Sequence, residues 1–155
     1  EIDADAMQRA IAGLSALRMN DPERLGDWFG RFMTLYRSVG ENLMPDPPRS
    51  RIEIEFDLQQ GALLQRHPWT RVAWRRSDGG KTTGKSALAN LYVAGQTHAL
   101  PIADARTLAA AETLDGETYA ALSAHSQSLV LDLIAEGHYR LENEDFGTSE
   151  DDDDA

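Results

Sequence analysis

Between residues 45 and 48 the chain reads Pro45-Asp46-Pro47-Pro48, and this stretch limits its folding more than any other. Each proline fixes φ and lacks an N–H, so neither a helix nor a central strand can cross it, and a rigid extended linker is expected. Placing a boundary at residues 46–50 leaves residues 1–45 on one side, residues 51–145 on the other, and a tail of residues 146–155.

Upstream of the linker the apolar residues fall at helical spacing. Ala6, Ala10, Ile11, Leu14 and Leu17 predict a helix over about 3–18. Asp21-Pro22-Glu23 then supplies a capping carboxylate, a proline at the first helical position and an acid in the first turn, so a second helix starts there and runs to about Ser38. Its apolar residues are Leu25, Trp28, Phe29, Phe32, Met33, Leu35 and Tyr36, a stripe too wide and too aromatic to leave in water. The stripe packs either on the first helix or against another subunit, and the two are compatible. A two-helix unit has little core of its own, which makes Trp28, Phe29, Phe32, Leu35 and Tyr36 the candidate interface residues.

Downstream the period changes. Arg51 to Leu58 alternates Ile52, Ile54, Phe56 and Leu58 with charged partners, which by period alone reads as a strand. Ala62 to Gln65, Arg71 to Arg75 and Ala87 to Val93 read as short strands of a small antiparallel meander, with a tight turn at 93–97 and the far side continuing through Leu100. Helices follow at Ile102 to Glu112, Asp115 to Leu122 and Ser126 to Glu136, then a closing strand from His138 to Leu141. The expected class is α+β: a helical hairpin, then a winged-helix-like domain with a small antiparallel sheet and about three helices. Glu150 to Asp154 has nothing to bury and is expected to be a disordered acidic tail.

Charge is unevenly distributed. The formal total is −11; residues 110–155 hold thirteen acids against Arg140 alone, whereas residues 66–85 hold six basic residues against Asp78. The acidic third repels phosphate backbones and argues against DNA as a partner, and the basic middle reads as a solvated hairpin face. With 41% apolar residues the chain should fold as an ordinary globular protein, and the absence of cysteine removes disulfides and thiolate zinc sites and fits a reducing cytoplasm. No apolar run approaches the ~20 residues of a membrane span, so a soluble protein is expected. The register of the first helix at Glu1 suggests a fragment.

Candidate chemistry is thin. Gly79-Gly80-Lys81-Thr82-Thr83-Gly84-Lys85-Ser86 satisfies the phosphate-loop expression. That loop needs a buried strand before it and a helix after it, whereas Trp74-Arg75-Arg76-Ser77 precedes and Asn90-Leu91-Tyr92-Val93 reads as strand, so a flexible hairpin loop is expected. His67, His98, His125 and His138 form neither a His-x-acid pair nor His-Glu-x-x-His, so no iron or zinc site can be written from them. His67 and His98 are expected in turns, and His138 near a helix C-terminus is expected to favour its charged form. Glu53 with Glu55 and Glu142 with Glu144 are spaced for one solvated strand face, and Ser123 and Ser126 beside His125 lack a nucleophile turn. No catalytic, cofactor-binding or metal-binding residue is assigned.

The order of segments carries a resemblance. Asp21 to Phe32 with Trp28-Phe29-Gly30-Arg31-Phe32, the proline-rich linker, Gln60 to Arg66, Leu91-Tyr92-Val93-Ala94-Gly95-Gln96 and Glu136-Gly137-His138-Tyr139 together resemble the C-terminal part of the bacterial cupin (JmjC) ribosomal oxygenases. Those are 2-oxoglutarate and iron(II) dioxygenases that hydroxylate an arginine of a large-subunit ribosomal protein. The resemblance spans about Met7 to Glu144. It implies dimerisation helices over residues 1 to about 45 and a winged-helix domain from about 50. It also implies a homodimer, with Fe(II) and 2-oxoglutarate held in a catalytic domain that this chain lacks. It favours a helix over 51–60, where Ile52 and Phe56 share a helical face and Gly61 becomes its C-terminal cap. The loop at 78–86 looks longer than the family's usual turn.

Three functions are in competition: a non-catalytic dimerisation and substrate-positioning module of a ribosomal protein hydroxylase, a free-standing winged-helix regulator, and a nucleotide binder using Lys85 and Ser86.

Overall fold

The computed structural model describes residues 21–35, 48–77 and 87–142, which form five helices and six strands. The helix expected over 3–18, Tyr36, the loop at 78–86 and the tail at 146–155 lie outside the described residues. The fold is α+β, with two three-stranded antiparallel sheets. It divides into two compact units, each drawn from two stretches of chain: residues 1–36 with 71–109, and residues 37–70 with 110–155.

The first unit contains the meander. Strands β2 (Val72–Arg76), β3 (Leu88–Val93) and β4 (Gln96–Pro101) pair in sequence order, with Arg76 opposite Ala89 and Val93 opposite Gln96. The β3–β4 connection is Ala94-Gly95, both at positive φ (50° and 77°), which matches the twist of a two-residue hairpin. Strand β3 is buried at Ala89, Leu91, Tyr92 and Val93, so both its faces are covered. Helix α1 (Pro22–Thr34) packs on this sheet and is capped by Asp21, whose carboxylate accepts the Glu23 N–H at 2.9 Å. Helix α3 (Ile102–Ala110) follows β4 directly and buries Ala105 and Leu108.

The second unit contains α2 (Arg51–Gln59), β1 (Leu64–Arg66), β5 (Thr113–Leu114), α4 (Gly116–Ala121), α5 (Ala124–Ala135) and β6 (Tyr139–Leu141). Residues 51–59 are helical because Ser50 and Glu53 close a capping box and because Ile54 and Leu58, one turn apart, both turn inward. The alternation that mimicked a strand is two helical faces interleaved: Ile54 and Leu58 inward, Ile52 and Phe56 outward. The expected end at Gly61 is found at φ +95°, just past the C-cap Gln60. Helices α4 and α5 are capped by Asp115 and Ser123, each accepting a backbone N–H three residues on.

One strand assignment changes. The segment expected at 62–65 as the first strand of the meander is β1, at the centre of a separate sheet in the order β5-β1-β6. Leu64 faces Leu114 on one side and Leu141 on the other, and all three are buried. A row of leucines across three strands excludes more apolar surface than the charged Val72–Arg76 strand could offer Leu64. The elements of the second unit are therefore gathered from residues 51–66 and 113–141, with the meander and α3 between them in sequence.

Candidate interaction surface

Helix α1 sits on its sheet the wrong way round for a core helix. Its buried residues are Gly30 and Thr34. Glycine lets the backbone approach the sheet closely: a Cβ at Gly30 would lie 2.5 Å from the Tyr92 ring. Polar contacts fix the rest of this face. Arg31 donates from Nε to Thr97 Oγ1 at 2.9 Å and pairs with Asp27 at 3.0 Å; Thr97 Oγ1 donates to Asp27 at 3.0 Å. The Gly95 N–H donates to Thr34 Oγ1 at 3.2 Å. The Arg75 guanidinium contacts the Glu23 carboxylate and donates to the Pro22 and Glu23 carbonyls, both at 3.2 Å.

The aromatic stripe is consequently left outward. Trp28 is 48%, Phe29 54% and Phe32 41% exposed, and Leu25, Met33 and Leu35 are exposed as well. Trp28 and Phe32 stack with ring centroids 5.3 Å apart and planes 14° off parallel, so they project as one slab. Covering the open part of each of these six side chains is worth on the order of 1 kcal/mol apiece. Of the five candidate interface residues, Trp28, Phe29 and Phe32 share the exposed side of the helix, Leu35 at the helix end is exposed but lies against the Gly95 turn, and Tyr36 lies outside the described residues. Leu25 and Met33 extend the surface and were already visible in the helical period.

The chemistry-bearing residues do not converge. His98 lies within β4 rather than in a turn, because the tight turn closes three residues earlier at Gly95. His67 is in the loop after β1, where its Nδ1 accepts the Trp69 N–H at 3.2 Å. His138 does not favour its charged form as expected. It is buried, 3.0 Å from Thr70 Oγ1 through Nδ1, and loss of solvent outweighs the nearby Glu136 and pulls its pKa down. Burial lowers His67 in the same way, aided by Arg140. His125 is on the exposed side of α5. Glu53 and Glu55, spaced for one strand face, are separated by the helix: Glu53 accepts from the Ser50 N–H at 2.8 Å, and Glu55 pairs with Arg51 at 2.7 Å. Ser123 caps α5, and Ser126 is buried beneath it. The strands flanking the 78–86 loop are antiparallel neighbours, with the Ser77 N–H donating to the Leu88 carbonyl, so the loop joins a hairpin and lacks the strand-to-helix setting of a phosphate loop. Among the described residues no group of three or more His, Cys, Asp or Glu side chains is placed to hold a metal ion. Likewise none of the described helices is long and apolar enough to cross a membrane.

A family model described as a ROXA-like winged helix matches residues 16–140. The chain belongs to that family. Solved structures of similar fold include the Escherichia coli ribosomal oxygenase YcfD, at 23% identity and a TM-score of 0.63. The same protein in complex with cobalt and succinic acid matches at 24% and 0.64, and with cobalt and 2-oxoglutarate at 22% and 0.62. Each match covers 92% of this chain but 37% of the YcfD chain, so this chain spans little more than a third of that protein. No curated protein matches it in sequence. At these identities the likeness establishes the fold alone, and it agrees with the winged-helix resemblance carried by Asp21 to Phe32 and the segments after it.

Proposed function

We propose that this chain is a non-catalytic dimerisation and substrate-positioning module of a 2-oxoglutarate and iron(II)-dependent ribosomal protein hydroxylase. The observation that carries the reading is the reversed amphipathicity of α1: glycine and threonine toward its own sheet, and Trp28, Phe29 and Phe32 toward solvent. A helix that spends its aromatic residues on the outside is built for a partner, and a two-fold axis lets one such helix meet its copy with the same slab. In this reading residues 1–45 are the helical dimerisation region, 46–50 the linker, 51–145 the winged-helix domain and 146–155 a tail. The protein works as a homodimer in the cytoplasm. Fe(II) and 2-oxoglutarate belong to a catalytic domain outside this chain, and a large-subunit ribosomal protein is the substrate. Family membership and the fold shared with YcfD support that assignment.

Sedimentation velocity on the chain and on Trp28→Ser/Phe32→Ser tests the module. A concentration-dependent dimer that becomes a monomer in the variant, with an unchanged melting curve, supports it. A wild-type monomer at every concentration removes dimerisation from the reading. The enzyme assignment is tested by recovering any coding sequence upstream of Glu1: a strand-rich region with a His-x-Asp pair and a distal histidine supports it, and an immediate start codon refutes it.

A further inference from the structure

Helix α2 carries a second unpartnered face. Ile54 and Leu58 fill the core of the second unit, while Ile52 is 78% and Phe56 58% exposed, one helical turn apart on the opposite side. The charged residues around this pair are held in place. Glu53 is locked to Ser50 by the capping box, Glu55 accepts from Arg51 at 2.7 Å, and Asp57 accepts from Arg49 at 2.5 Å. The two apolar side chains therefore project from an ordered rim, which lowers the entropy lost when a ligand covers them.

Charge selects the occupant. In the second unit the described residues 48–70 and 110–142 hold nine carboxylates against four arginines, whereas in the first unit residues 21–35, 71–77 and 87–109 hold six arginines against four carboxylates. A second copy offering its own α2 would bring like charge to like charge, a penalty that does not apply to the α1 stripe on the other unit. We infer that the Ile52/Phe56 face of α2 docks a basic, amphipathic polypeptide segment, its apolar anchors covering Ile52 and Phe56 and its cations drawn by the net negative charge of the unit. Both anchor residues of the face belong to this chain. It deepens the substrate-positioning part of the proposed function, and rests on that reading only for the partner's place in the cell.

The test uses the full chain and a fluorescein-labelled helical peptide of leucine and lysine at amphipathic spacing, with a counterpart carrying glutamate in place of lysine, read by anisotropy at low and high salt. Binding of the lysine peptide that weakens with salt, absence of binding by the glutamate peptide, and a loss of at least about tenfold in Ile52→Ser/Phe56→Ser establish the site. Both substituted side chains are exposed, and an unchanged circular dichroism melt confirms that the variant folds. Equal binding by wild type and variant would locate the attraction in the acidic tail and overturn the inference, as would no binding at low salt. A change in the sedimentation of Ile52→Ser/Phe56→Ser would make the face a self-interface and overturn it too. Trp28→Ser/Phe32→Ser must leave peptide binding unchanged, so failure of the dimer and failure of this site are separately visible.

Discussion

Gly30→Ala sets two effects of opposite sign against each other. Replacing glycine by alanine in a helix interior is worth about 1 kcal/mol in favour of the variant, because the unfolded chain loses freedom. The new Cβ, however, would lie 2.5 Å from the Tyr92 ring, whereas carbon atoms in contact sit about 3.5–4.0 Å apart. Tyr92 is buried in the central strand and has nowhere to swing, so α1 must lift by about 1 Å or more, an overpacking cost of about 1–3 kcal/mol. The lift also stretches the Thr97–Asp27, Arg31–Thr97 and Gly95–Thr34 hydrogen bonds, each worth about 0.5–1.5 kcal/mol. The clash wins by about 1–2 kcal/mol, which lowers the melting temperature by roughly 3–8 °C. Near-UV circular dichroism melts give the answer, with Gly26→Ala as the control. There the Cβ meets the guanidinium end of Arg75, which can swing away at the cost of its contacts to Pro22 and Glu23 but without lifting α1, so the Thr97–Asp27 and Gly95–Thr34 bonds stay intact and the loss should be smaller than in Gly30→Ala. A Gly30→Ala variant that melts higher than wild type would mean that propensity dominates and that α1 does not rest on Tyr92.

Other expectations follow from the second unit. Gly61→Ala has open space for its methyl group but sits at φ +95°, so urea unfolding should show a loss of about 1–2 kcal/mol, with Gly61→Asn milder. Ser50→Ala removes the capping box of α2 and should cost about 1 kcal/mol in the same assay. It should also let the Glu53 pKa, held down by its hydrogen bonds to Ser50, return toward the ordinary value in a carbon-detected NMR titration. His138 and His67 have lowered pKa values in the folded state, so the unfolded chain binds more protons near pH 6. Stability from these groups is present above the unfolded histidine value of about 6.5 and falls away as pH drops through the folded values. Urea midpoints should therefore decline from pH 7.5 to 5.5, less steeply in His138→Asn; a His138 resonance titrating above the ordinary value would refute the burial argument.

The elements whose signals are local were legible in the sequence. Asp21-Pro22 and Asp115 begin helices because a short side chain beside an unsatisfied N–H acts within three residues, whereas the last helix, expected from Ser126, starts earlier, behind Ser123. Val93 to Thr97 closes a hairpin because Ala94 and Gly95 need only each other's backbone angles. The aromatic stripe on α1 was equally visible. What needed the tertiary structure was the choice among partners. The strand at Leu64 pairs with segments about fifty and seventy-five residues away because three leucines line up across the sheet, and nothing within a window of eight residues encodes that. His138 looked like a cation at a helix end until burial removed its water. Periodicity marked Trp28, Phe29 and Phe32 as a face that must be covered, but only the packing of Gly30 against Tyr92 shows that the helix's own sheet does not cover it. The amphipathic period of a helix fixes which residues share a face, whereas the side that a sheet receives depends on how closely two backbones can approach, a property of surfaces that meet only once the chain has folded.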